Sequence, residues 1–142
     1  MTTVGRQLRD NAVALISLAV AVGSLGYNTW RNEHTERNRN VRTAAFELLM
    51  KLADLERVVF LAQYDRDKVG GNPRTGWIYV LAIRDLSKLV PAPVPARAEL
   101  LQQEWSGNWE NLGKDDQAAV KRIDDAIERL REASLATIKS LR

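Results

Sequence analysis

The sequence predicts an all-α protein, in which a single N-terminal transmembrane helix continues into an antiparallel helical bundle of about four helices. Three observations predict it. From Asn11 to Trp30, 20 consecutive residues carry no Asp, Glu, Lys or Arg. From Val41 to Ala62, apolar or small residues recur at alternating spacings of four and three, the period of a helix buried along one side. After Trp30 no strand-like alternation of useful length appears. The 142 residues then divide into a short tail over 1–10, a span over 11–30 and one soluble helical domain over 31–142.

The charge-free run reads NAVALISLAVAVGSLGYNTW. As a helix it is about 30 Å long at roughly 1.5 Å per residue, the thickness of a bilayer's hydrocarbon core. Its polar hydroxyls, Ser17 and Ser24, can bond back to a carbonyl one turn earlier. Tyr27 and Trp30 stand at the downstream end, where aromatic rings with one polar atom settle at headgroup level. Arg31 follows directly and can extend its charge toward water. A cleaved signal peptide would need a better processing site than Ala21-Val22-Gly23 and fewer polar residues than Asp10 and Asn11 at its start, so a retained anchor is expected.

Basic residues near the span set its orientation. Upstream lie Arg6 and Arg9; downstream, Arg31, Arg37, Arg39 and Arg42. That bias puts the C-terminal domain in the cytoplasm and the protein in an inner (cytoplasmic) membrane. The same four arginines suit anionic lipid headgroups. Within the span, Ala12, Ala19, Gly23 and Gly26 fall close to one face, and Ala19-x-x-x-Gly23 is a small-xxx-small pattern that allows another helix to approach.

The segment after Trp30 has no Gly or Pro until Gly70, so the first helix is expected to continue from about 31 to 66. Its inward stripe is Val41, Ala45, Leu48, Leu52, Leu55, Val59 and Ala62, widened by Phe46, Leu49, Ala53 and Val58. Gly70 and Gly71 interrupt it, and Asn72-Pro73 supplies an N-cap and first residue for a second helix, about 73–90, with Trp77, Val80, Leu81, Leu86 and Leu89 inward. Pro91, Pro93 and Pro95 end that helix. A third, about 95–112, carries Leu100, Leu101, Trp105, Trp109 and Leu112 and is closed by Gly113. Asp115 or Asp116 caps a fourth, about 115–141, with Val120, Ile123, Ile127, Leu130, Ser134, Ile138 and Leu141 along one side.

Composition excludes several chemistries. The chain has no Cys and one His, His34, which rules out disulfides, thiolate catalysis and thiolate or His-rich metal sites. None of the serines has a His base placed to activate it, and Asp115/Asp116 and Asp124/Asp125 read as caps and solvated pairs. No enzyme activity, cofactor or metal is therefore expected. Beyond Trp30 there are 19 basic and 17 acidic residues, too even a balance for a nucleic-acid interface.

The loop GGNPRTG lacks the Lys and following hydroxyl residue of a phosphate-binding P-loop. Trp105 and Trp109, four residues apart on one helix face, are expected to pack against the long helix; if exposed, they join Arg74 and Trp77 beside the loop as a partner surface. The expected function is that of a bitopic scaffold, adaptor or accessory subunit of a membrane complex, meeting lipid and either another membrane protein or itself. The alternative is an extracytoplasmic helical domain that senses or binds a small ligand.

Overall fold

The computed structural model describes residues 11–141, which form helices and no strand. The expected tail over 1–10, with Arg6 and Arg9, lies outside the described residues. Four α-helices follow in order: α1 Ala12–Gln63, α2 Pro73–Ser87, α3 Val94–Asn108 and α4 Gln117–Ser140, with a 3-10 turn, Trp109–Asn111, after α3. The chain divides into two units, residues 1–37 and 38–142.

In the first unit, the apolar stretch of α1 is long and apolar enough to cross a membrane, and none of that stretch is buried. Thr29 Oγ1 donates to Leu25 O at 3.0 Å, the back-bonding that removes a hydroxyl's need for water. Tyr27 and Trp30 have ring centroids 6.3 Å apart, and Trp30 and His34 5.1 Å.

In the second unit, the C-terminal half of α1 packs with α2, α3 and α4 around one apolar core. Each helix buries residues at alternating spacings of three and four. On α1 these are Val41, Ala45, Leu48, Leu52, Leu55, Val59 and Ala62, the predicted stripe in full. On α2 they are Gly76, Val80, Ile83 and Ser87; on α3, Val94, Ala98, Leu101, Trp105 and Asn108; on α4, Val120, Ile123, Ile127, Leu130, Ser134 and Thr137.

The polar members of that register are satisfied within their own helices or by a neighbour. Ser87, Ser134 and Thr137 hydroxyls donate to carbonyls three or four residues earlier, at 2.7, 2.8 and 3.0 Å. Asn108 Nδ2 donates to Glu104 O, and its Oδ1 accepts from Arg122 Nε and Nη2 at 2.9 and 2.8 Å, joining α3 to α4. The buried indole Nε1 of Trp105 has no acceptor among the described residues.

Side-chain burial corrects several expectations. Phe46 and Ala53 do not widen the stripe of α1; both are exposed, on the side away from the core. On α2, Leu81 and Leu89 are exposed and Ile83 is buried in their place; on α3, Leu100 is exposed. The register passes through Gly76, Ser87 and Asn108, so hydropathy alone selects the wrong apolar neighbours.

Boundaries shift too. α1 ends at Gln63, not 66, and α2 at Ser87, not 90, where turn bonds from Leu89 N to Leu86 O and Val90 N to Ser87 O close it ahead of Pro91. α3 begins at Val94 and tightens into the 3-10 turn at Trp109. α4 begins at Gln117 because Asp116 is its cap, with Oδ1 accepting from Ala119 N at 2.9 Å. Asn72 caps α2 as expected, with Oδ1 accepting from Arg74 N at 3.0 Å and Pro73 in the first position.

Candidate functional site

The loop after α1 and the turn before α4 meet beside the start of α2. Asp67 organises the loop: its Oδ1 accepts from Val69 N at 2.8 Å and Gly70 N at 3.0 Å. Those two N–H groups hold its carboxyl below the ordinary carboxylate value. Gly71 lies against the end of α1, where a β-carbon would come within 2.3 Å of Ala62 N, so only glycine fits. From the other side, Gly113, at φ +76°, donates its N–H to Gln63 Oε1 at 3.1 Å.

Arg66 and Asp115 face one another across the two segments, with Nη2 to Oδ1 at 3.2 Å. Both have positive φ, 50° and 61°, a conformation uncommon for residues other than glycine.

Between these segments is an open cleft of about 420 Å³ whose charged lining is Arg66, Asp67, Lys68 and Arg74. An adjoining cleft of about 360 Å³ shares Asn72, Pro73, Arg74 and Leu112 and adds Trp109, Glu110 and Lys114. Trp109 stands edge-on to Trp77, with ring centroids 6.5 Å apart, and both rings are half-buried against the core. The result is a surface with cationic donors, an aromatic edge and two shallow clefts. Among the described residues, no group of three or more His, Cys, Asp or Glu comes together to hold a metal.

The structure brings together three of the four residues expected at a partner surface. Arg74 is exposed on the cleft, and Trp77 and Trp109 form the aromatic edge. Trp105 takes the core place and not the surface one: it is 0% exposed, its indole seated on Gly76, because it occupies an inward position of the α3 register. Lys68 and Lys114 were not anticipated. Their position is set by the two turns, and the visible signal was the pair Gly71 and Gly113 that lets those turns approach α1.

The residues expected along the span are arranged as follows. Tyr27, Trp30, Arg31, Arg37, Arg39 and Arg42 are all exposed, Arg42 also donating to Leu141 O at 3.1 Å. Ala19, Gly23 and Gly26 are exposed and Ala12 half-exposed; a β-carbon at Gly23 or Gly26 would meet nothing within 4 Å. Comparison with protein-family models, with curated proteins and with solved structures returns no match.

Proposed function

We propose that this protein is a bitopic, membrane-anchored helical-bundle protein that works by position: the span fixes it in an inner membrane, and the bundle presents a helix face and the cleft surface to a partner. It serves as a scaffold, adaptor or accessory subunit, without catalysis. One observation carries the reading. A single helix, Ala12–Gln63, has an apolar stretch with no buried residue at one end and a fully buried apolar stripe at the other. An apolar stretch left uncovered is unfavourable in water at about 25 cal/mol per Å² and favourable in lipid.

Three further features support it. Tyr27 and Trp30 form an aromatic end followed by arginines. The open face at Gly23 and Gly26 leaves room for a second helix. The antiparallel arrangement of the bundle is supported by pairs whose numbers rise on α1 and fall toward the start of α4: Arg42 with Leu141, Glu56 with Arg131 at 2.6 Å, and Arg66 with Asp115.

Fusions of alkaline phosphatase and of a fluorescent protein after Arg142, made in a bacterial host, test the orientation. A fluorescent, phosphatase-silent pair is expected. Active phosphatase with silent fluorescence overturns the cytoplasmic scaffold in favour of an extracytoplasmic ligand-binding domain. Purification in mild detergent then identifies what co-elutes.

A further inference from the structure

α1 carries a second register of alternating spacings, opposite the first. Phe46, Met50, Ala53, Arg57 and Phe60 are all exposed, and Tyr64 follows one residue past the helix, its N–H still donating to Phe60 O at 2.9 Å. The large members are 51% (Phe46), 69% (Met50), 52% (Phe60) and 62% (Tyr64) exposed. A helix with apolar stripes on both sides has one more neighbour to find than its own bundle supplies.

We infer that this outer stripe pairs with the same stripe of a second copy, in parallel and in register. The inference rests on the membrane reading above, because two copies anchored through N-terminal spans in one membrane start their first helices from the same side of it, which favours parallel pairing. Charge along the stripe favours the same arrangement. With Phe46, Ala53 and Phe60 as d positions and Met50 and Arg57 as a positions, the flanking g–e′ pairs are Arg42–Glu47′, Leu49–Asp54′ and Glu56–Leu61′. Among these flanking pairs one is of opposite charge and none is of like charge, and the single like-charge contact of the parallel register is Arg57 against Arg57′. An antiparallel pair overlapping the whole stripe would instead set Asp54 against Asp54 and Glu56 against Glu56.

Large side chains bury about 150–250 Å² each, so the exposed fractions give roughly 1,000 Å² over two copies. That is near the lower bound for a specific interface. Confinement to one membrane raises the effective concentration enough for such an interface to hold. Arg57 at an a position weakens the seam and fixes its register.

The absence of cysteine makes the test clean. Ala53→Cys and, as a control at an exposed position of α3, Ser106→Cys are made separately in the full chain, and isolated membranes are treated with a mild oxidant. Carbonate extraction of the same membranes reports anchoring. Ala53→Cys is expected to give a disulfide-linked dimer at least tenfold more abundant than Ser106→Cys. Adding Phe60→Glu is expected to remove it, with helix content and melting unchanged. Equal cross-linking at the two positions, no loss on Phe60→Glu, or a cross-link to a different protein in place of the dimer overturns the pairing. Protein that resists extraction without cross-linking defeats the pairing alone; protein that is extracted yet cross-links defeats the anchor alone.

Discussion

The indole of Trp105 fills the space where a side chain on Gly76 would begin: a β-carbon there would lie 2.1 Å from Cζ2 and 2.4 Å from Cη2. α2 and α3 are thus fitted at this point by the smallest and the largest residue facing one another. Gly76→Ala forces a rigid ring to move and is expected to destabilise the bundle by about 1–3 kcal/mol. In a Trp105→Leu background the same substitution loses most of that effect. Urea unfolding of the four proteins of the cycle measures the coupling, and an additive result contradicts the fit.

The two opposite sides of α1 separate stability from association. Leu52→Ala, in the buried stripe, is expected to cost about 2–5 kcal/mol through lost burial and a cavity. Met50→Gln, two residues away and exposed, is expected to change stability by less than about 0.5 kcal/mol. Thermal melts decide this directly. A large loss at Met50 in protein shown to be monomeric under the conditions of the melt contradicts its exposed place.

Arg57→Leu removes the one charge from the outer stripe. If two copies pair there in register, the dimer fraction at a fixed protein-to-lipid ratio rises several-fold. A fall in that fraction shows that Arg57 is itself a favourable contact and contradicts the seam.

The caps differ in what they hold. Asn72 accepts one backbone N–H, from Arg74. Asp116 accepts Ala119 N and also Asn111 Nδ2 at 3.2 Å. Asn72→Ala is expected to cost about 1 kcal/mol, within the range for loss of a cap, and Asp116→Ala more than that. Chemical denaturation gives the order, and the reverse order refutes the assignment of two bonds to Asp116.

Asp67 supplies a pH dependence. Hydrogen bonds from Val69 and Gly70 lower its folded pKa below 3.8. The folded state therefore favours the ionised form, and the stability this contributes is present above pH 3.8 and lost as pH falls through the lower folded value. Asp67→Asn keeps an acceptor and removes the charge. The wild type is expected to be the more stable at neutral pH, with the difference narrowing below pH 3.8. Paired melts across that range check it; a difference that grows on acidification contradicts it.

How much of this was legible in the sequence depended on whether chemistry and position coincided. The inner stripe of α1 was legible because every residue in it is apolar or small, and the starts of α2 and α4 because Asn72-Pro73 and Asp116 are chemically specific. The inward side of α2 was not. Its register runs through Gly76 and Ser87, one buried because an indole lies on it and the other because its hydroxyl is spent on Arg84 O at 2.7 Å. Leu81 and Leu89, the more hydrophobic residues, face out. For the same reason Phe46 and Ala53 passed as a widening of the inner stripe, when their spacing to Met50, Arg57 and Phe60 marks a separate one. At the cleft, Arg74, Trp77 and Trp109 were singled out by residue type, whereas the meeting of Trp77 with Trp109 and the places of Lys68 and Lys114 depend on how helices and turns converge.

The indole N–H of Trp105, which has no acceptor among the described residues, turns the core into its own clock. A proton sealed from solvent and bound to no acceptor has no local hydrogen bond to break; solvent reaches it when α2 and α3 separate. Its rate of exchange with deuterium therefore times the opening of that core.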